Sequence, residues 1–282
     1  MRPAPAPLAR PRPAPGRALL PYLLAARNGF RRGRQYPADH LLKVVGGILF
    51  GVVFIAVWRA ALGGGGAGTA AALGVRVGWI GRYIAVSQGL LWITVFLPRG
   101  LGLPAAVRTG EVTADLLRPV SFFGLQVARE AGALGYAALF RSLPLVAALA
   151  LLVGWPRPPA PAALALALGA TLEAVWIALC LHYLVGLAAF WTTESRAAHW
   201  LLYALAVNLG GADIPLRAYP AALRAVLPWL PFPSLLSTPI LAWLGPVPLA
   251  ALGRSALWAV ALAVVCTWGT AAARRRLEVQ GG

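Results

Sequence analysis

The sequence predicts an all-α membrane protein with six transmembrane helices. It adds an N-terminal amphipathic interfacial helix and an outer re-entrant helix pair between helices 5 and 6. Three observations carry this. Hydrophobic residues make up 60% of the 282 and charged residues 12%, against about 45–50% and 25% in soluble domains. Mean hydropathy is +0.73, and the apolar residues come in long runs instead of short alternating ones. The basic residues collect at the ends of those runs. A soluble fold of this length needs a charged skin that this chain cannot supply.

Residues 1–16, MRPAPAPLARPRPAPG, are rich in Pro and Arg. Too poor in bulky apolar groups to pack, they read as a disordered tail. No apolar core of a secretory signal follows at the expected distance. Residues 17–40 mix Leu19, Leu20, Tyr22, Leu23, Leu24 and Phe30 with Arg17, Arg27, Arg31, Arg32 and Arg34. That stretch is too charged to span and suits an amphipathic helix in the interface. The spanning unit then covers 41–276, and 277–282 form a short tail.

A helix that crosses the hydrocarbon core needs about 20 mainly apolar residues. The stretches 41–62, 77–97, 131–154, 162–190 and 249–273 qualify. A shorter one, 197–212, is consistently apolar and ends at Asn208, Gly210 and Gly211. Two further pieces, 218–227 and 234–244, are each less than one crossing. Pro228, Pro231 and Pro233 separate them, which no continuous helix tolerates. They read as two short helices that dip into the membrane from one side and return.

The net charge of +17 admits two readings. Nucleic-acid binding wants basic residues on one exposed face with interleaved aromatics. Here they flank apolar runs, as topology signals and contacts to anionic lipid do. With the N-terminus inside, Arg2 through Lys43, Arg99, Arg108, Arg118, Arg129, Arg196 and Arg274–Arg276 fall at inner ends. Arg59, Arg76, Arg82, Arg157, Arg217, Arg224 and Arg254 fall at outer ends. The inner set is the larger by more than two to one, so both termini are placed inside and the re-entrant pair outside. Trp58, Trp79, Trp155, Trp191, Trp200, Trp243 and Trp258 sit near helix ends as an aromatic belt.

The chemical motifs are missing. Lys43 is followed by Val-Val-Gly-Gly, so no phosphate-binding P-loop exists, and the Gly63–Gly66 run reads as a flexible outer loop. His40, His182 and His199 are scattered. Cys180 and Cys266 lie inside apolar runs and indicate neither a disulfide nor a metal site. No cofactor, metal or catalytic residue is expected, and the chain cannot hydrolyse ATP by itself.

Two charges deep in apolar spans require an account. Arg141 lies 13 residues before Gly154 and Glu173 lies 12 after Pro161, which at 1.5 Å per residue gives nearly equal depth. The expectation is an intramembrane ion pair. It serves either as a structural staple or, if Glu173 lines a pathway, as an attraction for a cationic substrate. His182 and Glu173 point to opposite faces of one helix, and His182 reads as a satisfied helix-interface residue.

The inner loop 98–120, PRGLGLPAAVRTGEVTADLLRPV, has room for a short helix between Gly110 and Pro119. Glu111, Asp115 and Arg118 fall on one polar stripe, with Val112 and Leu116 beside it. It is either a surface turn between spans or a rigid knob that a soluble partner pushes on.

Three segments carry a resemblance. They are Arg108-Thr-Gly-Glu-Val-Thr-Ala-Asp-Leu-Leu-Arg-Pro-Val-Ser121, Gly186-Leu-Ala-Ala-Phe-Trp-Thr-Thr-Glu-Ser195, and Gly211-Ala-Asp-Ile-Pro-Leu-Arg-Ala-Tyr-Pro220 running on to Gly245. Together they resemble bacterial ATP-binding-cassette (ABC) transporter permeases of the type-2 exporter class, from about residue 20 to the end. The resemblance implies a permease in the bacterial cytoplasmic membrane, exporting a substrate. ATP and Mg would be used by separate cytoplasmic ATPase subunits. A second permease, identical or related, would complete the dimer. Residues 17–40 then look like a connecting helix. Arg108, Gly110, Glu111, Asp115, Leu116, Leu117, Arg118 and Pro119 look like the ATPase-coupling helix, and Pro228, Pro231, Pro233 and Pro239 mark the outer re-entrant gate. In this class the path runs along the dimer interface, lined by the first, second and fifth spans. Glu130-Ala131 is similar to the start of the importer loop motif, but Gly132 breaks that match. The competing readings are a membrane-embedded lipid-modifying enzyme, with Arg141, Glu173 and His182 as its candidate polar groups, and a non-transporting structural subunit.

Overall fold

Every regular element is helical in the computed structural model, which describes residues 15–35, 37–64, 76–156, 160–192 and 195–280. Among the described residues five helices are long and apolar enough to cross a membrane: Ala38–Gly63, Gly78–Thr109, Phe122–Val153, Pro161–Phe190 and Leu249–Arg276. The expected tail 1–16 falls almost entirely outside the described residues, as do Gly65, Gly66 and the last two residues.

Helix α1 (Pro15–Gly33) covers most of the stretch 17–40. It runs lengthwise beside α6 (Phe122–Ala137), in the same direction: the Tyr22 hydroxyl accepts from the Ser121 N–H, and Gly33 meets the Tyr136 ring. Small residues permit this. A Cβ on Gly132 would stand 2.6 Å from the Ala26 carbonyl carbon, and one on Gly29 2.9 Å from that of Arg129. The backbones therefore touch, as small residues allow between membrane helices. Leu19, Leu20, Leu23 and Leu24 remain exposed on the other side of α1.

Helix α2 (Pro37–Gly64) is apolar all round and keeps Leu41, Leu42, Leu49 and Phe50 exposed, the pattern of a span bathed in lipid. It packs on α3 (Val77–Thr94). A left-handed turn follows α3, with Gly100, Leu101 and Gly102 all at positive φ. Gly100 crosses the α8 helix (Pro161–Leu187) so closely that its Cβ would stand 2.5 Å from the Gly186 Cα.

The third span begins earlier than expected. Ser121 caps α6 by accepting the Gly124 N–H at 3.1 Å. One π-turn, Ala138–Ser142, joins α6 to α7 (Leu143–Val153). Pro144 explains the turn. In a regular α-helix its ring would press on the Phe140 carbonyl, and the wider turn relieves that.

Helix α8 is the hub, packed against α3 and four later helices. These are α9 (Arg196–Gly210), α11 (Phe232–Leu235), α12 (Ser237–Leu244) and the last helix, α13 (Leu249–Gln280). An alanine-rich face, with Ala167, Ala170, Ala174 and Ala178 buried, lets its neighbours approach. Helix α9, with 15 residues, is too short to count as a full crossing, so the structure gives five long spans where six were expected. Between α9 and α13 the expected pair of dipping helices is more fragmented. Helix α10 (Ala221–Val226) is exposed, whereas α11 and α12 are largely buried and are broken from each other at Leu236.

Candidate functional site: an aromatic groove beside a broken helix

Why α9 stops early defines the site. At Gly211 (φ +80) the chain turns left-handed. The freed carbonyls of the turn are taken up by side chains from two spans. The Tyr83 hydroxyl donates to Gly211 O at 2.5 Å, Ser87 Oγ to Ala212 O at 2.5 Å, and Trp58 Nε1 to Asp213 O at 2.9 Å. Tyr83 and Ser87 lie about 9 and 15 Å along α3 from Val77 at 1.5 Å per residue. The break therefore sits alongside the middle of α3, well away from its end. Irregular backbone at that depth survives only where protein groups satisfy it or where it lines a cavity, and both conditions hold here.

The cavity is a groove of about 380 Å³ between α2, α3 and α9, with Asp213 at its rim. Phe50 and Phe54 come from α2, Trp92 from the end of α3, Phe96 from just beyond it, and Tyr203 from α9. Trp92, Phe96 and Tyr203 form a continuous wall, with ring centroids 4.8 and 5.9 Å apart in sequence. Gln88 and Asp213 supply polarity at one end, bonded to each other at 3.4 Å. Lys43 lines the other end, held by Asp39 at 2.5 Å. The expected belt residue Trp58 is thus part of the site, and Asp213 and Tyr203 were not singled out from the sequence. The polar Asn208-Leu-Gly-Gly-Ala-Asp213 run after an apolar stretch was the available signal.

The expected Arg141–Glu173 pair does not form. Arg141 sits on the π-turn and faces the first turns of α2, where Nε donates to His40 Nδ1 at 2.5 Å and a guanidinium nitrogen lies 3.7 Å from Asp39. Because arginine can only donate, His40 Nδ1 is the acceptor and Nε2 carries the proton toward Gly33 O. Helix α2 covers this side of the third span, so Arg141 has nearer partners. Glu173 Oε2 is buried without a hydrogen bond. His182 is not fully satisfied either: its Nδ1 has no partner, and its ring lies 5.7 Å from that of His199. Arg141, Glu173 and His182 share no partner, so no convergent catalytic cluster arises from them. Glu130 is buried in α6 and paired with Arg32 of α1 at 2.5 Å.

The inner loop folds as two short helices in place of one. Helix α4 (Leu103–Thr109) ends on Gly110 at φ +77, and α5 (Val112–Leu116) stops before Arg118 and Pro119. Asp115 is the fixed point, bonded to Arg129 at 3.1 Å, Gln126 at 3.4 Å and Arg118 at 3.4 Å. Val112 is buried beneath, Leu116 is half-buried, and Leu117 stands 81% exposed. Arg108, Glu111 and Pro119 are exposed around it. Of the expected gate prolines, Pro231, Pro233 and Pro239 are buried and Pro228 is half-buried.

Residues 80–281 match the family described as ABC-2 family transporter protein. No curated protein and no solved structure matches the chain.

Proposed function

The chain belongs to the ABC-2 family of transporter proteins, and from that premise we propose that it is the permease subunit of an ABC exporter in a bacterial cytoplasmic membrane. Its groove between α2, α3 and α9 is the substrate path. In this reading α9, extended by the segment after its break, makes the fifth of six crossings, and both termini lie inside. Energy comes from cytoplasmic ATPase subunits that bind ATP and Mg, and a second permease, identical or related, completes the dimer.

The observation that supports this reading best is the exposed Leu117 on a loop clamped through Asp115 to the start of the third span. A knob held in this way passes a push directly into α6. Closure of the ATPases moves α4 and α5, and the spans rock between inward- and outward-facing states as rigid bodies. The buried α11–α12 segment, with Pro231, Pro233 and Pro239, closes the outer end.

The test is purification of the chain from its native membranes. A P-loop ATPase is expected to co-purify, and scrambling Gly110–Pro119 is expected to release it without unfolding the permease. If no ATPase binds the intact chain, the reading fails.

A further inference from the structure

We infer that the groove takes a lipophilic organic monocation, whose positive centre is held by the Asp213 carboxylate and whose apolar body lies against Phe54, Trp92, Phe96 and Tyr203. This rests on the permease reading and adds the cargo class to it.

Three carboxylates among the described residues have a counter-charge. Asp39 is matched by Lys43 and Arg141, Glu130 by Arg32, and Asp115 by Arg129 and Arg118. Glu111, Glu173 and Asp213 have no ion pair among the described residues; of the three, Asp213 lines the groove, and its side-chain contact is a 3.4 Å bond from the neutral Gln88 amide. A carboxylate held among apolar groups without a counter-charge is costly, and such residues in membrane proteins mark substrate or ion pathways.

Its position is also fixed. The three carbonyls of the break are bound by Tyr83, Ser87 and Trp58, so the backbone that carries Asp213 cannot swing away. An unwound segment beside a cavity midway along a bundle is a recurrent place for substrate recognition in transporters.

The rest of the groove sets the shape and charge of the ligand. Aromatic faces attract cations through their quadrupoles, and the Trp92–Phe96–Tyr203 wall presents several such faces. About 380 Å³ lies within the range of small-molecule sites. Lys43 at the far end disfavours a second positive group there, so a monocation fits better than a dication.

The test uses the full chain in detergent and two probes of matched shape and opposite charge, tetraphenylphosphonium and tetraphenylborate. Saturable binding of the cation is expected by equilibrium dialysis, with no competition from the anion. Asp213→Asn should weaken cation binding at least tenfold, about 1.4 kcal/mol, while Asp213→Glu retains part of it. Tyr203→Ala should weaken it less. Carbodiimide labelling of Asp213 in the unaltered chain, located by mass spectrometry, should be blocked by the cation and not by the anion. That measurement stands even if a variant fails to fold. The inference is overturned if no saturable cation binding occurs, if the borate binds as well, if Asp213→Asn binds normally, or if labelling ignores the cation. Binding needs no ATPase, so these failures are separate from failure of the ATPase to co-purify, which would defeat the permease reading itself.

Discussion

Replacing Gly132 by alanine probes the backbone contact between α1 and the third span. The new Cβ would lie 2.6 Å from the Ala26 carbonyl carbon, whereas carbon atoms rest at about 3.5–4.0 Å. The obstacle is backbone, so the helices must part by about 1 Å or more. Overpacking of this kind costs about 1–3 kcal/mol. The same movement pulls Arg32 from Glu130, which is 1% exposed and paired at 2.5 Å. Because Arg32 is 48% exposed and gains water as it leaves, weakening the pair adds only about 1 kcal/mol. Together the two effects bring the expected total to about 2–4 kcal/mol. Thermal unfolding in detergent should show a fall in Tm of several degrees for Gly132→Ala. Gly253→Ala, where nothing stands within 4 Å of the new atom, should be neutral or slightly stabilising. Gly29→Ala acts on the same contact, so the double variant should cost clearly less than the sum of the singles. A Gly132→Ala protein as stable as the Gly253→Ala control would refute the contact.

Other consequences can be checked in the same preparation. Tyr83→Phe leaves the Gly211 carbonyl without its donor and should lower stability by about 1–3 kcal/mol, read as a Tm shift. Asp115→Asn removes the clamp on the inner loop; because its arginine partners are partly exposed, stability should barely change, while permease-stimulated ATPase activity falls. Arg141→Gln should destabilise and Glu173→Gln should not. Their double variant should be additive within about 0.5 kcal/mol, since a larger coupling energy would restore the direct pair.

The long apolar helices were legible because a bilayer demands length and hydropathy, both local properties. Their neighbours were not. Depth counted along the helices placed Arg141 level with Glu173, but which helix lies beside which is settled by packing, and α2 brought Asp39 and His40 closer. The lengthwise seating of α1 had a visible signal in the small residues Gly29 and Gly33 on α1 and Gly132 on α6, but spacing alone does not say which helix they meet. In the groove, Gly210 and Gly211 announced the end of α9. That the end lies beside the middle of α3 depended on Tyr83, Ser87 and Trp58, residues distant in sequence. The inner loop was legible as a polar-striped segment, and its division at Gly110 followed from that glycine's left-handed backbone.

The π-turn at Ala138–Ser142 amounts to one residue more than a regular helix would hold there. Straightened to regular α geometry with its residue count unchanged, the helix would swing everything on one side by about 100° relative to the other. Arg129 and Gly132 would rotate away from α1, or Leu145 and Leu149 away from α2. Outer loops can lengthen or shorten at little cost to the bundle. This helix can do so only in step with its turn: homologues that keep both contacts should either carry the extra residue with the π-turn or lack both together.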